Sequence, residues 1–298
     1  MCQDEVGKPP QHRKVFSPPP QILPLRQAQG QADEPRRKGC KERVAGEGEE
    51  GQNNGASPAG AHEIMGYKKV VFWDFDETLT YREWKWSGTL AQVARDADPP
   101  IDLAIVDIRP HLQAGYLWHT PEVAHTELAT ADQWWEHMEG ILARAFVAAG
   151  VKEETARALS KKVRGEYLDM RYWHVYDDVA PALEALAAGG WRHCVVSNHV
   201  PELDDIVEGV GLSGYFDAVI SSANVGYEKP HPAIYAMAKA KFPEAEEMWM
   251  VGDSYEADYV GAERAGMKAI LVRKEHAGAE RYCEGLGCVV ETILGRRE

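Results

Sequence analysis

The sequence predicts an α/β fold, a doubly wound parallel sheet with an inserted helical domain. Three observations lead to this prediction: short apolar runs that end in polar residues, helical patterns between these runs, and a long helical interval after the first run. Runs of this length, rich in β-branched and aromatic residues, are typical of strands buried on both faces. Strands that alternate with helices indicate a parallel sheet covered on both sides.

Five runs have the form of buried strands. The first is VVFWD, which follows Lys69, and three others surround Val195, Val219 and Met250. The last is KAILV, at residues 268–272. The first four pass directly into polar loop residues, and open α/β sheets bind ligands where parallel strands end. A ligand site is therefore expected at this edge.

Helical patterns separate the later strands. The segment APALEALAAGG places Leu183 and Leu186 on one face, and Gly189 and Gly190 are expected to end that helix. A further helix is predicted over residues 258–265, directly before the last strand.

The interval after the first strand breaks this alternation, because residues 81–174 are mainly helical in pattern. Two long helices are predicted over residues 133–149 and 153–168, joined at Gly150 as an αα-hairpin. An insertion of this size after the first strand is most simply a helical lid.

The first 64 residues differ in composition from the rest of the chain. They contain 8 of the 17 prolines and a single aromatic residue, Phe16. Such a segment cannot bury enough apolar surface to offset chain entropy, so we expect residues 1–64 to be a disordered Pro/Gly-rich tail. Met65 directly precedes the first strand, and one hypothesis is that translation begins there and that the tail is a gene-start artefact.

The formal net charge is -14, and a negative body repels nucleic acids and anionic membrane surfaces. We therefore expect neither as a partner. No apolar run reaches the roughly 18 residues of a membrane span, and the N-terminal segment lacks the apolar stretch of a secretory signal. A cytoplasmic protein is expected. The net charge does not exclude a small phosphorylated substrate, because a bound cation can reverse the electrostatic field inside one pocket.

The five cysteines are scattered and include no C-x-x-C pair that would suggest zinc. We expect reduced thiols, with Cys194 packed in the core. Pairing of Cys283 with Cys288 is the alternative.

Acidic residues follow two of the predicted strands. Asp74 and Asp76 end the first, Asp253 ends the strand around Met250, and Asp258 is expected at the start of the next helix. Two carboxylates about 4 Å apart repel by roughly 4 kcal/mol at an effective dielectric near 20. A divalent cation would offset this repulsion, and ligands that offer only oxygen favour Mg2+.

Anion-binding groups are expected at the same edge. Ser197 and Asn198 end the strand around Val195, and Lys229 lies just before a helix that begins near residues 230–232. A lysine is a point charge suited to phosphate oxygens, and a serine hydroxyl with nearby backbone amides can hold them.

Together these motifs resemble the haloacid dehalogenase (HAD) superfamily from Lys69 to about Val272, in the helical-cap, phosphoglycolate phosphatase-like branch. The family pattern is matched by the residues of D-x-D-x-T, the strand-end serine, the lysine and G-D-x-x-x-x-D, which here are Asp74, Asp76, Thr78, Ser197, Lys229, Gly252, Asp253 and Asp258. Glu77 departs from the glycine often found at its position, without threat to the chemistry. The resemblance implies a Rossmann-like core of residues 65–80 and 175–298 and a helical cap of residues 81–174.

The resemblance also implies a mechanism. Asp74 would attack phosphorus and form an aspartyl-phosphate, while Asp76 would protonate the leaving oxygen and then activate water. Mg2+ would be bound by Asp74, the backbone carbonyl of Asp76 and Asp253. One layer behind these ligands, Asp258 and Thr78 would support them, with Asp258 orienting a water molecule or Lys229. Ser197, Asn198 and Lys229 would hold the phosphate.

The expected function is thus a Mg2+-dependent phosphatase acting on a small phosphate ester, as a monomer or homodimer. A sugar phosphomutase and a non-catalytic phosphate-binding or scaffolding protein stay open. A haloacid dehalogenase is disfavoured by Asp76, and a phosphonatase by the solvated setting expected of Lys152, Lys161 and Lys162. Trp84, Trp86, Arg171 and His174 flank the hinges, and packing is the favoured role of the two tryptophans.

Overall fold

The computed structural model describes residues 68–128 and 130–296. The predicted tail and Met65 lie outside the described residues.

The described chain contains eight strands. They are β1 (Lys69–Trp73), β2 (Thr80–Arg82), β3 (Trp173–Val175), β4 (Arg192–Ser197), β5 (Ala218–Ser221), β6 (Glu247–Gly252), β7 (Lys268–Val272) and β8 (Tyr282–Cys283).

Eleven α-helices accompany the strands in the described residues. They are α1 (Lys85–Arg95), α2 (Ile105–Ile108), α3 (Ala131–Ala148), α4 (Glu153–Ser160), α5 (Val163–Tyr167), α6 (Val179–Ala188), α7 (Leu203–Gly209), α8 (Ser222–Val225), α9 (Pro232–Ala240), α10 (Gly261–Arg264) and α11 (Leu286–Ile293). A π-helix spans Tyr255–Val260, and short 3-10 turns span Arg109–Leu112, Leu117–His119, Met170–Tyr172 and Ser213–Tyr215.

Six strands form a sheet in the order β5-β4-β1-β6-β7-β8, and each neighbouring pair is parallel. Helices cover both faces, which confirms the predicted doubly wound α/β fold. The five predicted strands are present as β1, β4, β5, β6 and β7. Strand β7 has the predicted bounds.

Both faces of the central strand are buried. Val71 and Trp73 contribute to the core beneath α6, α7 and α11, whereas Val70 and Phe72 contribute to the core beneath α9 and α10. Because successive side chains of a strand point to opposite faces, a continuous apolar run supplies both cores at once.

The predicted helix after Asp178 begins at Val179 and ends at Ala188, with Gly189 as its C-cap. Gly190 follows with φ of 81°, a left-handed conformation that costs glycine nothing. The two glycines therefore end this helix, as the sequence predicts.

A helical insert (residues 83–172) lies between β2 and β3, which pair antiparallel at its base. Its first long helix is α3, as predicted. The single helix predicted over residues 153–168 is wrong, because the chain breaks into α4 and α5. Ser160 donates its hydroxyl to the Arg157 carbonyl at 3.0 Å, and such back-bonding bends helices. The break lets Val163 and Tyr167 of α5 become buried.

The structure joins Cys283 and Cys288 in a disulfide, so the expectation of reduced thiols is wrong for this pair. Their Cα atoms are 5.5 Å apart, within the range that a disulfide spans. Cys194 is free and buried, as expected. Across the part of the chain that is described, every helix is too short or too polar to traverse a bilayer.

Candidate active site

The carboxyl ends of β1, β4 and β6 meet at one edge of the sheet, and the residues that follow them line a cavity of about 600 Å³. The Asp74 amide donates to the Val251 carbonyl at 2.9 Å, which continues the pairing of β1 with β6 and fixes the backbone of Asp74. The cavity is lined by the predicted residues Asp74, Asp76, Ser197, Asn198, Lys229, Asp253 and Asp258. Thr78 is the one predicted site residue outside this lining.

Asp74 is the shared acceptor of the site. Its Oδ1 accepts hydrogen bonds from the Ser197 hydroxyl and from Lys229 Nζ, both at 2.8 Å. The carboxylate is only 7% exposed. These two donors hold one oxygen of Asp74 in place, and the ammonium group of Lys229 lies directly against the carboxylate.

Lys229 is buried and donates three hydrogen bonds, to Asp74, to Asp258 Oδ1 at 2.6 Å and to the Val196 carbonyl at 2.8 Å. Burial by itself lowers the pKa of Lys229, but Asp258 and Asp74 outweigh burial and raise that pKa above its usual value. The lysine is therefore a permanent cation in this site.

Asn198 pairs with the backbone of Lys229. Its Nδ2 donates to the Lys229 carbonyl at 2.9 Å, and its Oδ1 accepts from the Lys229 amide at 2.6 Å. Both ends of this amide are therefore occupied in positioning Lys229. Phosphate binding by Asn198 itself stays a prediction.

Three buried carboxylates, those of Asp74, Asp253 and Asp258, each present an oxygen within 4.8 Å of the others. Burial raises the pKa of Asp253, and the charge of Asp74 raises it further. Burial likewise raises the pKa of Asp258, although Lys229 acts against this. Concentrated negative charge of this kind is what a divalent cation would relieve.

The sequence predicts Asp258 at the start of a regular helix, but Asp258 lies inside the π-helix. Its Oδ1 accepts from Lys229 and its Oδ2 from the Ser254 amide at 2.9 Å. Both oxygens are thus engaged by the protein, which suits a residue that supports Lys229.

Asp76 also lines the cavity, beside His199 and Lys85. His199 Nε2 is 3.7 Å from Asp76 Oδ1. Burial by itself raises the pKa of Asp76, but His199, Lys85 and Arg82 together outweigh burial and lower it. The free site therefore favours the carboxylate form of Asp76.

Thr78 is fully buried in the turn after β1, and its carbonyl accepts from Arg273 Nε at 2.9 Å. Its hydroxyl has no hydrogen-bond partner among the described residues. Thr78 therefore belongs to the same turn as Asp74 and Asp76, but it does not line the cavity.

The insert supplies an aromatic wall (Trp86, Trp118 and Tyr167) to the cavity. Trp86 stacks on Tyr167 with ring centroids 4.2 Å apart, and Trp118 lies nearly parallel to Trp86 at 6.2 Å. Of the four hinge residues considered from the sequence, only Trp86 lines the cavity in the described structure. Trp84 is 62% exposed.

Sequence reasoning missed four residues around the site. Lys85 pairs with Glu77 at 3.2 Å, Lys274 forms an ion pair with Asp253, and Trp118 and His199 line the cavity. Lys274 lies two residues after the end of β7, and His199 lies two residues after the end of β4. Their position near strand ends was the sequence feature that could have identified them. Trp118 lies in the insert, where no local signal indicated the cavity.

The lysines considered for Schiff-base chemistry do not reach this site. Within residues 68–128 and 130–296, Lys152, Lys161 and Lys162 are absent from the cavity lining.

This geometry agrees with a comparison to known families. The model of the haloacid dehalogenase-like hydrolases matches residues 68–266, more than half of the chain. This chain belongs to that family. The family is one of hydrolases.

Several relatives illustrate the family. Haloacid dehalogenase-like hydrolase domain-containing protein 3 of Mus musculus is 33% identical over 223 residues, which cover 74% of this chain and 85% of that protein. The same-named protein of Bos taurus is 34% identical over 48% of this chain, a match that spans 57% of its own length. A phosphoglycolate phosphatase of Aquifex aeolicus is 31% identical over 42% of this chain and 64% of its own length.

Solved structures share the fold. A putative β-phosphoglucomutase of Thermotoga maritima aligns with a TM-score of 0.58 at 16% identity, covering 77% of this chain and 100% of that one.

Proposed function

We propose that this haloacid dehalogenase-like hydrolase is a Mg2+-dependent phosphatase that hydrolyses a small phosphate ester through an aspartyl-phosphate on Asp74. The observation that supports this most is the setting of Asp74. It ends the central strand, one oxygen is held by Ser197 and Lys229 at 2.8 Å, and it borders a cavity large enough for a metabolite.

The residues present fit a magnesium ion. The side-chain donors are all carboxylate oxygens, and they converge within 4.8 Å. Burial is the main cause of the raised pKa values of Asp253 and Asp258, and the charge of Asp74 adds a repulsion that a cation would relieve. Asp74 and Asp253 are the proposed side-chain ligands, together with the Asp76 backbone carbonyl. Bound Mg2+ would supply charge to offset that of the transferring phosphoryl group.

In the first step, an Asp74 oxygen forms a bond to phosphorus while the ester bond to the leaving oxygen breaks. Asp76 gives a proton to that oxygen. In the second step, Asp76 takes a proton from water, the water oxygen bonds to phosphorus, and the bond to Asp74 breaks. A bound phosphate dianion beside Asp76 would raise its pKa and so favour the protonated form needed first.

Asp74→Asn tests the nucleophile. We expect turnover to fall to background, because an amide oxygen is a poor nucleophile, while the similar shape preserves the fold. Phosphate release from p-nitrophenyl phosphate is compared between wild type, the variant and wild type treated with EDTA, with thermal unfolding as the control. Wild-type rates in the variant, or rates that ignore Mg2+, would contradict the proposal.

The cavity also suggests a substrate class. On the insert side, the leaving group would meet the aromatic wall and one cation, Lys85, which is already paired with Glu77. On the core side it would meet several acidic residues. A leaving group with its own carboxylate or phosphate is therefore disfavoured, and a neutral group with a flat apolar face is favoured.

Trp118→Ala tests this class. We expect kcat/KM for phenyl phosphate to fall about 3- to 10-fold, the worth of one aromatic contact, with a smaller effect on phosphoglycolate. Trp84→Ala is the matched control, since Trp84 is exposed outside the cavity lining. Equal losses in the two variants, or a wild type that prefers phosphoglycolate, would contradict the proposed class.

We propose that the insert forms most of a cap with the limits predicted from the sequence, residues 81–174. A cytoplasmic location and a monomeric or homodimeric state stay predictions.

A further inference from the structure

His199 follows β4 by two residues and is placed by backbone contacts to the end of β5. Its amide donates to the Ser222 hydroxyl at 3.1 Å, and its carbonyl accepts from the Ser221 hydroxyl at 2.8 Å. The side chain is 0% exposed. Its position is therefore set by contacts inside the protein.

Aromatic rings surround the imidazole. Phe75 meets it edge-on at a centroid distance of 5.6 Å, Trp173 lies at 5.5 Å and Tyr167 at 6.2 Å. These rings come from the loop after β1, from β3 and from the insert, so the imidazole is confined from several directions.

Neither ring nitrogen of His199 has a hydrogen-bond partner among the described residues. A buried polar group left unpaired costs about 1–3 kcal/mol, and a phenyl ring of similar shape would avoid this cost. His199 lines the cavity, and its Nε2 is 3.7 Å from Asp76 Oδ1, slightly beyond hydrogen-bond reach. Hydrogen bonds of this kind are often long in a free site and shorten when substrate binds.

We propose that His199 is a positioning residue for Asp76. When substrate binds, the Nε2–H group of His199 donates to one oxygen of the Asp76 carboxyl group. The other oxygen, which carries the proton, is thereby directed at the leaving oxygen. This inference rests on the proposed phosphatase function, and it adds a residue that none of the matched motifs contains.

In this step His199 donates a hydrogen bond and exchanges no proton. The proton passes from Asp76 to the leaving oxygen as the ester bond breaks and the bond from Asp74 to phosphorus forms. A leaving group that is stable as an anion departs without a proton, whereas a strongly basic alkoxide must be protonated as it departs. The effect of His199 should therefore depend on the leaving group.

The test compares p-nitrophenyl phosphate with 2-phenylethyl phosphate, which both present an aromatic ring but differ in leaving-group acidity. The quantity measured is kcat/KM, because it reports on steps up to departure of the leaving group. For His199→Phe we expect a loss of about 10- to 100-fold with the alkyl ester, a part of the 10² to 10⁴ that a general acid contributes, and less than about 3-fold with the aryl ester. The thermal midpoint should stay the same or rise, because the unpaired nitrogens are gone.

His199→Gln restores an amide N–H donor and should recover part of the loss with the alkyl ester. His174→Phe is the matched control, since His174 lies on β3 outside the cavity lining, and should leave the ratio of the two rates unchanged. The proposal is overturned if His199→Phe slows both esters equally or neither, or if His199→Gln recovers nothing. A wild-type protein that hydrolyses neither ester would instead refute the phosphatase function itself.

Discussion

Glu228 is a buried acid next to Lys229 in the sequence. It is 2% exposed, and its Oε2 has no hydrogen-bond partner among the described residues. Burial raises the pKa of Glu228 to about 7, although Ser222, Lys229 and His199 act against this. At physiological pH the Glu228 side chain is therefore close to half protonated.

Glu228→Gln should stabilise the protein in a pH-dependent way. The folded state keeps the Glu228 proton to higher pH than the unfolded state does, so the stability present below the unfolded pKa of 4.5 is lost as pH rises through about 7. The glutamine side chain does not titrate, so the variant keeps this stability at high pH. We expect its free energy of unfolding to exceed that of wild type by on the order of 3 kcal/mol at pH 8 and by little at pH 4.

Urea unfolding at the two pH values measures this difference. Glu154→Gln, at an exposed position of α4, should shift neither value. An advantage that is the same at pH 4 and pH 8 would contradict the proton linkage.

At the scale of elements, the end of β6 and the π-helix fit together because residue 252 lacks a side chain. A Cβ added to Gly252 would overlap the carboxyl group of Asp258. Asp258 in turn binds Lys229, so this close approach connects the backbone of β6 to the cation of the site.

Gly252→Ala should therefore lower both stability and activity. We expect a loss of about 1–3 kcal/mol from overpacking, and reduced kcat/KM because Asp258 must shift away from Lys229. Gly287→Ala in α11 is the control: its added Cβ meets nothing within 4 Å, and alanine favours a helix. Equal thermal midpoints and activities for the two variants would show that Asp258 moves freely.

The helices of the insert show where local pattern is insufficient. The segment 153–168 is rich in helix formers, and its propensity favours one continuous helix. Instead, the helix breaks, and Val163 and Tyr167 of α5 become buried. Tyr167 stacks on Trp86, a residue distant in sequence. Propensity is a weak preference, and tertiary packing overrides it here.

At the scale of the whole molecule, Glu202 connects the insert to the core. This residue lies between β4 and α7, and its carboxylate accepts from Trp135 Nε1 at 3.0 Å and from Arg164 Nε at 2.9 Å. The Glu202 side chain is 10% exposed, so its carboxylate is largely shielded from water, whereas the Arg164 side chain is 37% exposed. Hydrogen bonds to a shielded charge are stronger than those at the surface.

Glu202→Ala should loosen the insert on the core. We expect a loss of about 1–3 kcal/mol, because Trp135 keeps a buried donor without its acceptor, and faster hydrogen exchange in α3 and α5 than in β4 or β6. Glu153→Ala is the control, since it removes an exposed pair with Arg157 worth about 0.5 kcal/mol. Uniform acceleration across the protein would indicate global destabilisation instead.

The sequence by itself determined the strands and the residues at their ends. Asp74, Ser197 and Asp253 each follow an apolar run whose period and length are local properties, and parallel strands bring their carboxyl ends to one edge. The family pattern and the doubly wound fold followed from this. Gly189 and Gly190 ended their helix because backbone conformation is also a local property.

Only the tertiary structure decided which side chains face one another across that edge. Asn198 pairs with the backbone of Lys229, His199 lies beside Asp76, and Lys274 pairs with Asp253, although 31, 123 and 21 residues separate these partners. Such contacts depend on side-chain direction and on the packing of loops between strands, which no local pattern encodes. The aromatic wall has the same origin, because the insert must first fold onto the core before its rings border the cavity.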